Sequence, residues 1–193
     1  MFNRLNLPKP STELLAVVRE LAENRPFDLS VLDWHERQQP KGTNCAYGDF
    51  FTDKSLNSYV EAEYQSFFNV EVVPIIGIIK NTKTIPASYA PHSDKFRHIT
   101  ANFYIELGGS RVETIFYDKV DPIDDLVGGH IISYDDLPPI TDRLMFESNE
   151  WYILPTRQYH SVENIENNRL ILSLSYIGII EEFINSHKHL IID

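Results

Sequence analysis

Between Asn69 and Tyr176 the chain is a series of short β-type runs separated by turn-forming pairs, a pattern that points to packed antiparallel sheets. The run Val70-Glu71-Val72-Val73-Pro74-Ile75-Ile76-Gly77-Ile78-Ile79 is β-branched and strand-like, with Pro74 placing it at an edge or a bulge. In Ile99–Leu107 the residues Ile99, Ala101, Phe103, Ile105 and Leu107 are apolar, while Thr100, Asn102, Tyr104 and Glu106 are polar. That is the period of a half-buried strand. Trp151–Leu154 and Arg169–Tyr176 read as further strands, with Gly-Gly, Asp-Pro and Pro-Pro pairs as breaks. Helices are expected outside this region. Ser11 or Thr12 caps one that runs to about Asn24 and ends at Pro26, its apolar face formed by Leu14, Leu15, Val17, Val18 and Leu21. A second covers Lys54–Phe67 with Tyr59, Tyr64 and Phe67 inward, and a third covers Ile179–Ile192. Trp34 and Trp151 are expected in the core, and His35, His130, His187 and His189 on the surface or in loops. The expected organisation is one domain over 1–193. It has helical and loop support at 1–68, a β core at 69–177 and a C-terminal helix at 178–193.

Composition narrows the partners. With 17 Lys and Arg against 28 Asp and Glu, the net charge of −11 disfavours a nucleic-acid backbone. No apolar run approaches the roughly 20 residues that span a bilayer, so no membrane partner is expected. The opening residues lack a secretory pattern, and a single cysteine allows no internal disulfide, which together suggest a cytoplasmic location.

Four residues carry the chemistry. On an extended strand His92 and Asp94 point to one face, so a single stretch of backbone can offer an imidazole and a carboxylate to one ion. His160 is the best candidate for a third ligand. Two histidines and one carboxylate leave positions open, the pattern associated with non-haem Fe(II) oxygenases. A closed zinc site would draw on cysteines, and Cys45 stands alone. Arg169 shares a strand face with Ile171, Ser173 and Ser175, while Leu170, Leu172 and Leu174 fill the other, so the guanidinium is expected to be buried and to need an anion. A carboxylate held in two-pronged fashion suits it, and Ser173 could donate to the same group. Arg97 is expected to pair with an acid.

The set His92-x-Asp94, His160 and Arg169, nine positions beyond the distal histidine (169 − 160), resembles the Fe(II)- and 2-oxoglutarate-dependent dioxygenases, most of all the prolyl-hydroxylase-like branch. The stretch Arg97–Tyr104, the pair Gly108-Gly109 and the run Glu113-Thr114-Ile115-Phe116 resemble the strand, turn and returning strand that follow the motif in that branch. Residues 85 to 177 carry the likeness, and Asp118–Phe146 departs from it. The resemblance implies a mainly β fold with flanking α-helices, a double-stranded β-helix or cupin-like jelly roll. It implies Fe(II) on His92, Asp94 and His160, with 2-oxoglutarate and O₂ as co-substrates. Arg169, Tyr104, Ser173 and Asn102 would bind the 2-oxoglutarate. The implied reaction hydroxylates a C–H bond of a peptide, protein or small-molecule substrate, releasing succinate and CO₂.

Other readings of the same residues stay open. His92 and Asp94 could cap a surface turn, His160 could be a hydrogen-bonded core histidine, and Arg169 could pair with Glu163 or Glu166. Tyr104 could be a core tyrosine. At the level of the whole chain, the alternatives are a cupin-like metal enzyme that does not use 2-oxoglutarate and a non-catalytic jelly-roll binding module.

Overall fold

A computed structural model describes residues 2–26, 44–94, 97–118, 130–131 and 137–192 of the chain. Trp34, His35, Lys95 and the pairs Asp121-Pro122 and Gly128-Gly129 lie outside the described residues. In chain order the elements are β1 (Asn3–Leu5), α1 (Thr12–Asn24), β2 (Tyr47–Phe51), α2 (Lys54–Tyr64), β3 (Val73–Lys80), β4 (Ala87–Ser93), β5 (Ile99–Leu107) and β6 (Glu113–Tyr117). There follow β7 (His130–Ile131), β8 (Ile140–Leu144), β9 (Trp151–Leu154), β10 (His160–Ile165), β11 (Arg169–Tyr176), α3 (Ile180–Ser186) and β12 (Ile191–Ile192).

The strands form two antiparallel sheets, ordered β12-β1-β9-β5-β11-β3-β2 and β7-β4-β10-β6-β8. Within them, β3-β11-β5-β9 faces β4-β10-β6-β8, and the chain switches sheets at each step from β3 to β6 and again from β8 to β11. That connectivity is the jelly roll.

The two faces of the larger sheet differ in chemistry. Ala101, Phe103 and Ile105 of β5 and Leu170, Leu172 and Leu174 of β11 join one apolar cluster with Leu14 and Val18 of α1 and Leu56 and Val60 of α2. Both helices present an i, i+4, i+8 stripe to this cluster, namely Leu14, Val18 and Ala22, and Leu56, Val60 and Tyr64. Both are capped, the first by one of the two residues its sequence offers. Ser11 Oγ accepts from Leu14 N–H at 3.1 Å, and Asp53 Oδ1 accepts from Ser55 N–H at 2.9 Å. Three of the polar residues of β5 do not meet solvent. Thr100, Asn102 and Tyr104 are as buried as their apolar neighbours, because that face lines the space between the sheets. Leu172→Ala, in the fully buried outer layer, is expected to cost about 2–5 kcal/mol, measurable as a fall in the urea midpoint at unchanged m-value.

Three expectations are refined. Pro74 pairs with Leu174 of β11, but β2 reaches only as far as Ile76, so the proline sits where β3 is an edge. The C-terminal helix stops at Ser186. A 3₁₀ turn at Lys188–Leu190 follows, and β12 then pairs with β1, so the two ends of the described chain extend the larger sheet. His187 is not on the surface. It is 1% exposed and stacks on Phe183 with ring centroids 4.2 Å apart, while Asn69 N–H donates to its Nε2 at 3.3 Å. Trp151 is core, its indole N–H donating to Pro8 O at 2.9 Å.

Candidate active site

The smaller sheet brings the two histidines together. β10 lies between β4 and β6, and His160 is the cross-strand partner of His92 on one side and of Phe116 on the other. The two imidazole centroids are 4.3 Å apart; Phe116 stacks on His160 and Tyr89 meets His92 edge-on. Each ring is fixed by its Nδ1, which hydrogen-bonds the carbonyl two residues earlier, Ala90 O at 2.8 Å and Gln158 O at 2.9 Å. With Nδ1 donating, each Nε2 keeps its lone pair for another partner.

Both rings are held neutral. Burial, reinforced by the neighbouring His160, pushes His92 from 6.5 down to about 3, and burial also lowers His160. The unfolded chain therefore binds protons that the folded chain refuses, so stability falls as pH drops below 6.5 and keeps falling toward about 3. For His92 the loss is about 2 kcal/mol by about pH 5. Urea unfolding across this range is expected to show a shallower pH slope in His92→Phe than in the wild type.

Asp94 follows the last residue of β4. Its N–H donates to Thr156 O at 2.9 Å, and its Oδ1 accepts from Arg97 Nη2 at 2.8 Å. The same Oδ1 is 3.8 Å from His92 Nε2, while Oδ2 is buried without a hydrogen-bond partner. Burial alone would raise this carboxyl; Arg97, His92 and His160 together bring it below its ordinary value. Among the described residues no three His, Cys, Asp or Glu side chains stand at the spacing of a formed metal site, and Asp94 is engaged with Arg97 instead. The acid expected to pair with Arg97 is thus the carboxylate of the His-x-Asp motif itself.

Arg169 opens β11 and is 2% exposed, facing the space between the sheets. Its Nη2 reaches Thr114 Oγ1 at 3.4 Å, and its guanidinium lies 4.7 Å from the centroid of the Tyr104 ring. Nε and Nη1 are buried with no hydrogen-bond partner. Glu166 turns to Arg111 and Glu163 to Ser161 and Ser88, so neither expected carboxylate pairs with Arg169. Burial lowers the Arg169 pKa and Tyr104 opposes this; the group stays a cation. A buried cation with no carboxylate beside it is costly, so this guanidinium is a candidate site for an anion.

Tyr104 stacks on Phe146 at 4.6 Å, and burial raises its pKa, with Arg169 and Asn102 opposing. Its hydroxyl therefore remains protonated. Ser173 Oγ donates to Asn102 Oδ1 at 2.6 Å, so the serine proton is committed to the asparagine, whose side chain also hydrogen-bonds Tyr104. One pair further along, the cross-strand partners Thr100 and Ser175 carry buried hydroxyls without partners. Thr100, Thr114, Thr156 and Ser175 gave no sequence signal. Small hydroxyl residues on a strand's polar face look solvent-facing until a second sheet covers them.

Of the departure at Asp118–Phe146, residues 118, 130–131 and 137–146 are described. Within it β7 pairs with β4, placing the Ile131 backbone opposite His92 and the His130 backbone opposite Ser93. β8 then forms the far edge of the smaller sheet.

No protein-family model matches the sequence, and no curated protein matches it. Similar solved structures include the epimerase SnoN in complex with Fe³⁺, alpha-ketoglutarate and nogalamycin RO. It shows 15% identity over 89% of this chain and 77% of that one, at a TM-score of 0.45. A prolyl-4-hydroxylase from Pseudomonas putida is 15% identical over 86% of this chain and 99% of its own, at 0.35. A 2OG-Fe(II) oxygenase family oxidoreductase from Burkholderia pseudomallei is 10% identical over 84% and 89%, at 0.37. This chain is a jelly roll.

Proposed function

We propose that this protein is an Fe(II)- and 2-oxoglutarate-dependent oxygenase. The observation that carries the reading is Arg169, a buried guanidinium with two unpartnered nitrogens in the lumen of a barrel that also presents two histidine Nε2 lone pairs and an unpartnered carboxylate oxygen. The donor set fits a divalent iron held by His92, Asp94 and His160, with two imidazoles, one carboxylate and open positions. The guanidinium fits the far carboxylate of a dicarboxylate co-substrate. When bound, the iron and 2-oxoglutarate supply the oxidising chemistry: one O₂ is consumed as 2-oxoglutarate becomes succinate and CO₂ and a substrate C–H becomes C–OH.

The chain's own residues bind, orient and exclude water. The Nδ1 bonds of His92 and His160 fix both rings and leave Nε2 as the ligating atom. Arg169, with the Tyr104 hydroxyl and the Asn102 amide, holds the co-substrate in the lumen. Ser173 acts through Asn102, setting its amide orientation. Phe116 and Tyr89 pack against the imidazoles and keep water away. Asp94 fills the ligand position that a halogenating relative would leave for halide, which favours hydroxylation. A peptidyl or protein side chain, or an amino-acid-like molecule, is the substrate class in view. The single buried Cys45 suits a cytoplasmic setting. A metal enzyme without 2-oxoglutarate, or a binding module, leaves Arg169 without a reason.

Anaerobic addition of Fe(II) and 2-oxoglutarate is expected to give a weak visible absorption band, absent when either component is omitted. Tight metal binding with no such band would point to the metal enzyme without 2-oxoglutarate, and no metal binding to the binding module.

A further inference from the structure

Arg97 is tied down from three directions. Its guanidinium donates to Asp94 Oδ1 at 2.8 Å and stacks 4.1 Å from the centroid of the Phe50 ring, and its carbonyl accepts from Thr156 Oγ1 at 2.6 Å. Thr156 also accepts the Asp94 N–H, so one residue of the β9–β10 turn clamps both members of the pair. The Arg97 and Asp94 side chains are 12% and 10% exposed, which shields their interaction from solvent screening. The oxygen that Arg97 holds is also the one 3.8 Å from His92 Nε2. A cation held by His92 and Asp94 would therefore sit beside a fixed guanidinium on a shared carboxylate.

We propose that Arg97 is a resident counter-cation for Asp94 that weakens the site's affinity for a divalent ion, a positioning role that rests on the metal reading above. Asp94 supplies the only carboxylate among the three candidate ligands, and Arg97 is already paired with it. An incoming dication must share that carboxylate with the guanidinium. The same pairing holds Asp94 Oδ1 in the metal-free protein. Arg97 thus favours reversible loading over tight retention.

The test is Mn(II) titration of the full chain at fixed pH without co-substrate, reading free Mn(II) by its EPR signal. Arg97→Gln keeps a hydrogen-bond donor to Asp94 and removes the charge, so its Mn(II) dissociation constant is expected to fall about tenfold. Arg97→Lys keeps the charge and is expected to bind Mn(II) less tightly than Arg97→Gln. A purely structural Arg97 would lower the thermal midpoint without tightening Mn(II). Arg97→Gln binding Mn(II) no more tightly than the wild type overturns the proposal. Phe50→Leu, which removes the ring beneath the guanidinium, gives an independent reading if Arg97→Gln fails to fold; several-fold tighter binding is expected and unchanged binding overturns the proposal. Failure of both the wild type and the variants to bind Mn(II) sinks the metal reading and this proposal with it. Equal binding by all of them sinks the counter-cation alone.

Discussion

Arg169→Met is expected to abolish 2-oxoglutarate binding while leaving the ligand-free protein as stable as the wild type, or more so. The two effects have one cause. Nε and Nη1 are buried without partners, so the ligand-free fold bears the cost of an uncompensated cation. Methionine fills much of the same volume without charge, and exchanging buried ionic groups for apolar ones is often neutral or stabilising by about 1–4 kcal/mol. Binding moves the other way. Each hydrogen bond to a charged group is worth about 1.5–3 kcal/mol, so losing the pair should weaken 2-oxoglutarate binding by more than about 100-fold. Calorimetric titration with 2-oxoglutarate in the presence of Mn(II), alongside urea unfolding of the metal-free protein, separates the two. A large loss of stability with 2-oxoglutarate binding intact would mean that Arg169 is structural.

Asp94→Ala is expected to abolish metal binding and substrate-dependent turnover, and also to destabilise the protein by about 3–5 kcal/mol, because it strands Arg97 as an unpaired buried charge. The stability loss is separable. Adding Arg97→Leu should restore most of the unfolding free energy without restoring metal binding, because the stranded charge is then gone while the ligand is still missing. Retained turnover in Asp94→Ala would remove the aspartate from the ligand set. A double variant as unstable as the single one would show that Arg97 supports the fold by other contacts.

Much of the fold was legible along the chain. The starts of α1 and α2, the alternation in β5 and the aliphatic run of β11 are local properties, set by caps and by the period of a pleated strand. The C-terminal segment was misread because an apolar stretch with helix formers does not reveal that Ile191 and Ile192 can pair with β1 at the opposite end of the chain. His187 was misplaced for a similar reason, since only the packing of α3 against Phe68 buries it.

The candidate site divides along the same line. The sequence by itself determined which side chains are the candidates for ligating and anion-binding chemistry, because His92-x-Asp94 shares one strand face and Arg169 lies on a strand with no room for a free charge. Only the tertiary structure decided what those residues meet. It set His160 opposite His92 across β10 and β4, turned Asp94 to Arg97, and closed the second sheet over Thr100, Asn102, Tyr104 and Ser173 to make a lumen of what reads as an outer face. The physical reason is range. Side-chain period and capping act over a few residues, whereas His92 and His160 are 68 positions apart (160 − 92) and meet only when the barrel closes.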